Sequence, residues 1–335
     1  MTNTTFEDSS VSIVHEFISD AAFHYIIIAI RLILNPALGI TGTCTNLINS
    51  AAFFRMGLTD GITQNFFILS ISDWVLSVMA LINFLSGVLY HIVYSDDETL
   101  RLHPLILYQI SAVSQIVSQQ VSAVVTIVIA IVRCCCVALP LRVKYLLTAS
   151  RQLAVILVFG GLSTFVITFC FAHGHFAYHL DTKTNKSHYG LVGVKWYTFA
   201  VFSNIYFYSS FSIVIICLII LSTSLYRSYK FRKTTTIPFS SVHMRRINKE
   251  IRIIKTVVLV SAIFLVCYSV QVFFSILRNN IKGFSPQGEQ KNAAFTFLVI
   301  HETFSLINAN ANIFIYFFFN TRYRITAKTL LKIRQ

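Results

Sequence analysis

Several polar side chains interrupt long apolar stretches of this sequence, and the most informative of them is a carboxylate. Asp73 stands in the stretch FFILSISDWVLS, near the middle of an apolar segment. A carboxylate there either takes up a proton or finds polar partners, because an apolar medium does not solvate its charge. Polar residues at a similar depth in other segments are Asn46, Ser122, Asn308 and Asn312. We expect these side chains and Asp73 to form one polar layer.

A second set of polar residues lies nearer the ends of the apolar segments. Gln115 and Gln119 are one helical turn apart in the third segment, Gln271 belongs to the sixth, and His301 and Glu302 are adjacent in the seventh. Polar groups that converge from several helices suit a small polar ligand. Glu302 would favour a cationic or amine-bearing ligand, because an ionisable group in a membrane span is usually functional. Alternatively, these groups bond only to one another and join the helices.

Arg133 stands at the end of the third apolar segment, in the stretch AIVRCCCVALPL, with Pro140 seven residues later. An arginine in an apolar segment is costly unless it has a partner or reaches the membrane boundary. The simpler interpretation is that the guanidinium extends to the lipid headgroups, and a functional role requires matching features elsewhere in the chain. The three cysteines after it point in different directions around a helix, so they predict no metal site.

The composition shows what kind of protein must position these residues. Hydrophobic residues make up 55% of the 335 residues, charged residues only 12%, and the mean hydropathy is +0.68. These values are typical of a polytopic membrane protein rather than a soluble one. The net charge of +14 would suggest nucleic acid in a soluble protein. Here the basic residues lie between apolar segments, so we expect contacts with membrane lipids and no nucleic-acid binding.

The sequence predicts an all-α membrane protein with seven transmembrane helices and a short amphipathic helix on the inner leaflet. A spanning helix needs roughly 20 mostly apolar residues. Seven segments meet this requirement: 24–54, 64–92, 102–138, 151–172, 196–226, 251–277 and 293–319. We therefore divide the chain into an extracellular tail (1–23), a seven-transmembrane domain (24–319) and a cytoplasmic amphipathic tail (320–335). Roughly opposite faces of that last segment carry its apolar and its basic residues.

The distribution of basic residues predicts the orientation in the membrane. With the N-terminus outside, 19 of the 27 lysines and arginines fall on the cytoplasmic side. The excess of positive charge on the inner side favours this orientation at the plasma membrane, with the C-terminus in the cytoplasm. Two glycosylation sequons, at Asn3 and Asn185, then fall on the outer face.

At this point the chain resembles the rhodopsin-like G-protein-coupled receptors over nearly all of its length. The resemblance rests on GTCTN with Asn46, LSISD with Asp73, VRCCCVALPL with Arg133 and Pro140, and NANANIFIY with Asn312 and Tyr316. Their order, one per span at matching depths, makes the combination specific.

The resemblance implies roles for these residues in a two-state switch. Arg133 would contact the G protein in the active state, and Glu250 would hold it in the inactive state. The polar layer around Asp73 would accept a sodium ion, or alternatively form a structural network without an ion; no cofactor would be obligatory. Tyr316 and Asn312 would reposition on activation.

The sequence also departs from this family. Val132 replaces the usual acid before the arginine, and Ile313 and Val270 stand where prolines are usual. Tyr108 stands where a disulfide-forming cysteine is expected, and the second outer loop has no cysteine either. Phrases such as RCCCVALPLRVKYLLT look closest to the chemosensory-type receptors of gastropod molluscs.

We therefore expect a receptor that couples an extracellular chemosensory ligand to a heterotrimeric G protein. A neuropeptide receptor of the same fold is the alternative. The sequence motifs predicted to lie nearest the G protein say little about the ligand, so a small molecule and a peptide both stay open. A membrane channel or transporter is the alternative of another class, although no repeated half is evident. No catalytic constellation is found, so we predict that the protein is not an enzyme.

Overall fold

The computed structural model of the protein describes residues 17–92, 98–138, 147–181, 186–234, 241–285 and 288–332. Within them the chain forms a bundle of long helices, which confirms the predicted fold class. In chain order, the first to seventh spans are Asp20–Met56, Gly61–Ile92, Glu98–Ala138, Ala149–Ala172, Trp196–Thr234, Ser241–Asn280 and Lys291–Phe319.

The seventh span differs from the others in composition. Among the described residues, six helices are long and apolar enough to cross a membrane, and the seventh span is not one of them. The cause is its polar content, which includes His301, Glu302 and the asparagines Asn308, Asn310 and Asn312. With 29 residues it is nevertheless about 43 Å long, longer than the roughly 30 Å hydrocarbon core. It packs against the first and sixth spans, so its polar side chains can face other helices rather than lipid.

The first span changes helical geometry part of the way along. It is α-helical over Asp20–Ile28, π-helical over Ala29–Leu34 and α-helical again over Asn35–Met56. Pro36 explains the change, because it lacks the N–H that would bond to the carbonyl of Leu32 and its ring crowds that carbonyl. The backbone N–H of Asn35 donates instead to the carbonyl of Ile30, five residues earlier. Arg31 lies within this π-helical segment.

The loop between the fourth and fifth spans contains a β-hairpin that the predicted all-α architecture did not include. Strand β1 (His175–Asp181) pairs antiparallel with strand β2 (Lys186–Val192). The backbone N–H of Lys195 then donates to the carbonyl of Cys170, at 3.2 Å, and returns the chain to the end of the fourth span. The seven cysteines all lie in the described part of the chain and are free thiols.

A short helix, Thr321–Leu330, follows the seventh span and corresponds to the predicted amphipathic segment. The Asn320 side chain caps it by accepting from the backbone N–H of Tyr323, at 3.1 Å. Tyr323 and Ala327 are buried against the bundle, while Ile325 on another face is exposed. Residues 333–335 of the predicted tail lie outside the described residues.

Candidate functional site

The carboxylate of Asp73 is completely buried and joins three spans. One oxygen, Oδ1, accepts a hydrogen bond from the Ser122 hydroxyl at 2.8 Å, and Oδ2 accepts one from the Asn312 amide at 2.8 Å. Asp73 belongs to the second span, Ser122 to the third and Asn312 to the seventh. Any movement of the third or seventh span relative to the second therefore changes the environment of this carboxylate.

The other two members of the predicted layer are placed differently. The Asn46 amide donates to the backbone carbonyls of Gly42 and Ala309, both at 3.1 Å, and so joins the first span to the seventh. Asn308 is half-buried and does not bond to the Asp73 carboxylate. Hydrogen bonds therefore join Asp73 directly to Ser122 and Asn312. Asn46 is connected to them only through its bond to the backbone of the seventh span.

Gly42 allows this close approach of the first span. A Cβ atom at this position would lie in hard contact with the Ser77 hydroxyl oxygen and 3.0 Å from the amide nitrogen of Asn310. The Asn310 amide in turn donates to the backbone carbonyl of Leu38 at 3.0 Å. Small residues allow helix backbones to approach closely in membranes, and Gly42 serves that purpose here.

An aromatic cluster lies between this layer and the C-terminal helix. The Tyr316 ring is fully buried and contacts Phe53 (5.0 Å between centroids, edge to face), Phe66 (4.9 Å) and Tyr323 (5.6 Å). The Tyr316 hydroxyl has no hydrogen-bond partner in the part of the chain that the structure describes. Tyr316 is one helical turn beyond Asn312, so the cluster and the carboxylate share the seventh span.

A chain of hydrogen bonds also leads from the C-terminal helix to the polar layer. The Tyr323 hydroxyl donates to Oδ1 of Asn49 at 2.5 Å, and the Asn49 amide donates to Oδ1 of Asn46 at 3.2 Å. Burial raises the pKa of the Tyr323 phenol, so the hydroxyl stays protonated and can donate. All three side chains are buried.

Arg133 lies near the C-terminal end of the third span and is half-buried. Its Nε and Nη2 atoms have no hydrogen-bond partner among the residues that the structure describes. Its charge interacts with that of Asp60, which lies in the turn between the first and second spans. Glu250 lies in the helical sixth span, but its side chain and the whole of Pro140 are outside the described residues.

The predicted outer polar residues do not share one cavity. The Gln119 amide contacts the imidazole Nε2 of His301 at 2.8 Å and also donates to Ser305, which links the third span to the seventh. Gln115 donates to the backbone carbonyl of Met79 at 3.3 Å. Gln271 is buried, and its carbonyl oxygen has no partner in the described part of the chain. Gln115 and Gln119 therefore join neighbouring helices, which agrees with the alternative that these polar groups bond only within the bundle.

Glu302 instead lines a cavity of about 470 Å³ between the first, second, third and seventh spans. Arg31 and Tyr108 line the same cavity, and the Arg31 Nη1 donates to the Tyr108 hydroxyl at 3.1 Å. The charges of Arg31 and Glu302 attract each other, but no hydrogen bond joins them. The remaining walls are mostly apolar.

Three of the residues above were missed in the sequence. The sequence contains a signal for Arg31, because burial of a lone arginine in the apolar run IIIAIRLIL costs as much free energy as burial of Arg133. We nevertheless used Arg31 only in the count of basic residues that predicts the orientation. Tyr108 was noted only for the cysteine that it replaces. Asp60 gave no signal, since a charged residue in a turn between helices is usually solvated.

Two further points concern binding and modification sites. In the described ranges, no three histidine, cysteine or acidic residues are grouped so that they could hold a metal ion. The sequons at Asn3 and Asn185 lie outside those ranges, so glycosylation of either remains a prediction.

Comparison with known proteins identifies the family. The model of the family described as serpentine type 7TM GPCR chemoreceptor Srw matches residues 33–334, which include most of the first span, the six other spans and the C-terminal helix. A search of curated proteins finds no match. The matched family consists of chemoreceptors and is not a class of enzymes. The chain therefore belongs to the Srw family of serpentine seven-transmembrane GPCR chemoreceptors.

Proposed function

We propose that the protein is a rhodopsin-like receptor that couples an extracellular chemosensory ligand to a heterotrimeric G protein. The single observation that carries the proposal is the buried Asp73 carboxylate, which bonds to Ser122 and Asn312 on two other spans. The family match supports a chemoreceptor, and the motif phrases resemble the chemosensory-type receptors of gastropod molluscs. The receptor lies in the plasma membrane with its N-terminus outside.

The signal passes along the seventh span. A ligand on the outer side stabilises one of two packings of the spans. The inner face responds because the same helices form the outer and the inner face. Movement of the seventh span changes the Asn312 bond to Asp73 and, one turn further, the position of the Tyr316 ring. The Tyr316 hydroxyl has no partner among the described residues, and the Tyr316 ring contacts Phe66; both observations favour this site as the one that rearranges.

Arg133 is the inner element of the switch. Its guanidinium has unused donors and interacts electrostatically with Asp60. Glu250 completes the restraint from the sixth span in the inactive state. Release of Arg133 on activation frees a cation to contact the G protein near Pro140.

The Asp73 carboxylate and the Ser122 hydroxyl of the polar layer would hold a sodium ion in the inactive state. The ligands present fit it, because Na⁺ prefers oxygen donors and the Asp73 carboxylate and Ser122 hydroxyl supply them side by side. Each carboxylate oxygen accepts one bond here and keeps a lone pair for a cation. The ion would favour the packing in which the second and third spans stay together.

Ligand-free nucleotide exchange tests the coupling without knowledge of the ligand. Membranes with equal surface amounts of wild type, Glu250→Ala and the double variant Glu250→Ala with Arg133→Ala are mixed with several classes of G protein. Arg55→Ala is the control, because Arg55 is an exposed arginine at the inner end of the first span. We expect Glu250→Ala to raise the exchange rate, the second substitution to abolish the increase, and the control to resemble wild type. Exchange equal to that of receptor-free membranes in every sample contradicts the proposal.

A further inference from the structure

Two opposite charges, those of Arg31 and Glu302, line one cavity of the described bundle, and no hydrogen bond joins them. Glu302 interacts with Arg31 only through the electrostatic field. Arg31 donates to Tyr108, while its buried Nε has no partner in the described part of the chain. Charged groups at this depth are costly unless something pairs with them. The cavity is thus lined by a guanidinium whose one described hydrogen bond goes to Tyr108 and by a carboxylate that accepts no described hydrogen bond.

The local backbone holds Arg31 in this position. It lies in the π-helical segment Ala29–Leu34 that precedes Pro36, and π-helical turns occur frequently at functional sites. The hydrogen bond from Nη1 to the Tyr108 hydroxyl further fixes the guanidinium, and the ring of Tyr108 lies 6.0 Å from it. Tyr108 of the third span therefore fixes the position of the Arg31 guanidinium, which belongs to the first span.

The remaining walls define the shape and polarity of the ligand. They consist mostly of apolar side chains, among them Ile27, Ile28, Leu32, Phe84 and Val88. The volume of about 470 Å³ is in the range of small-molecule sites. An apolar body with a small polar head fits this arrangement.

The charges of the two residues restrict the head group. A cation would be attracted by Glu302 and repelled by Arg31, and an anion would experience the reverse. A group that carries both charges is attracted by both. We propose that this cavity binds a small zwitterion of the amino-acid class with an apolar side chain, its carboxylate toward Arg31 and its ammonium group toward Glu302. This inference rests on the proposed receptor function and names the class of its ligand.

A second cavity lies near the N-terminal end of the first span. It has a volume of about 400 Å³, and His24 lines both cavities. An acidic and a basic residue, Asp20 and Lys291, line this outer cavity as well. This cavity is thus lined, like the first, by one acidic and one basic residue.

Direct binding to the full-length receptor in phosphatidylcholine nanodiscs tests the inference without a G protein. The probes are radiolabelled L-leucine, L-phenylalanine, L-methionine and the dipeptide leucyl-leucine. Competitors are leucine methyl ester, which is only cationic, N-acetylleucine, which is only anionic, and N-acetylleucine methyl ester, which is uncharged. We expect at least one zwitterion to bind saturably, and the ester and the acetyl derivative to compete about tenfold or more weakly, because each loses one charged hydrogen bond.

Substitutions then locate the site. Arg31→Met and Glu302→Gln should each weaken zwitterion binding about tenfold or more. Arg278→Met and Glu289→Gln are the matched controls, since both residues lie at the outer side and line neither cavity; they should leave binding unchanged. The double variant Arg31→Met with Glu302→Gln leaves no unpaired charge, so it should fold even if a single variant does not. It should bind the uncharged derivative at least as well as leucine.

Three results would overturn the inference: no probe binds wild type, a singly charged derivative competes as well as the zwitterion, or the cavity variants bind like the controls. Ligand-free nucleotide exchange is measured with the same preparation. It shows whether the proposed coupling to a G protein holds even if the proposed ligand class is wrong. Exchange without amino-acid binding overturns the ligand class alone. Binding without exchange overturns the coupling to a G protein and leaves the site intact.

Discussion

The Tyr323 hydroxyl donates a 2.5 Å hydrogen bond to Oδ1 of Asn49, which connects the C-terminal helix to the first span. Asn49 donates in turn to Asn46, which bonds to the backbone of the seventh span at Ala309. The short C-terminal helix is therefore part of the same buried hydrogen-bond network as the helices that hold Asp73.

Removal of that hydroxyl tests the connection. Tyr323→Phe leaves the ring in place but leaves Asn49 with an unsatisfied buried acceptor. We expect a loss of about 1–2 kcal/mol in the free energy of unfolding, measured as a lower Tm of the solubilised receptor. Tyr226→Phe is the control, because Tyr226 is largely exposed at the inner end of the fifth span. Equal Tm values for the two variants would contradict a stabilising bond.

The aromatic cluster predicts a contrast between two neighbouring phenylalanines. Phe53 is fully buried against Phe66, Tyr316 and Tyr323, whereas Phe54 is 66% exposed on another face of the same helix. Phe53→Ala should cost about 3–5 kcal/mol in stability because it leaves a cavity among close-packed rings. Phe54→Ala, followed by the same thermal denaturation, should cost much less. A comparable loss in both variants would show that burial does not distinguish them.

Close packing of the first and second spans predicts the effect of a single methyl group. Gly42→Ala forces the new Cβ against the Ser77 hydroxyl, and we expect a destabilisation of about 1–3 kcal/mol. Gly161→Ala is the matched control, since nothing lies within 4 Å of a Cβ at that position in the fourth span. Alanine favours a helix over glycine by roughly 1 kcal/mol, so this control should be neutral or stabilising. Both variants are compared by their Tm in the same detergent.

Sodium dependence tests the polar layer. Replacement of choline chloride by sodium chloride at constant ionic strength should raise the Tm of wild type and lower its ligand-free nucleotide exchange. Asp73→Asn keeps the shape of the side chain but removes the charge that attracts the ion, so both effects should disappear. Asp20→Asn, at the exposed outer end of the first span, should retain them. A sodium response that survives in Asp73→Asn places the ion elsewhere.

The sequence predicted the depth of polar residues in the membrane better than the direction in which they point. Asp73, Ser122 and Asn312 were grouped from their depth alone, and the structure brings them together. His301 and Glu302 also have nearly equal depths, but adjacent residues in a helix point about 100° apart. His301 consequently contacts Gln119, and Glu302 faces Arg31 across the cavity. That direction depends on how the seventh span packs, which the order of residues does not specify.

Local geometry accounts for other features that the sequence did not reveal. The π-helical segment around Arg31 depends on how the chain accommodates Pro36, and a regular helix would turn the guanidinium elsewhere. The interaction of Arg133 with Asp60 depends on a turn rather than on a helical pattern. The outer hairpin was missed because its sequence, rich in polar residues, indicates only a loop.

Paired backbone groups hold the hairpin between the fourth and fifth spans, the bond from Lys195 to Cys170 returns the chain to the fourth span, and the seven cysteines are free. Maturation of this loop in the secretory pathway therefore requires no oxidation and no disulfide isomerisation. Reducing agents that inactivate receptors with a covalently tethered loop should leave this one intact. We accordingly expect the same Tm for the purified protein with and without dithiothreitol.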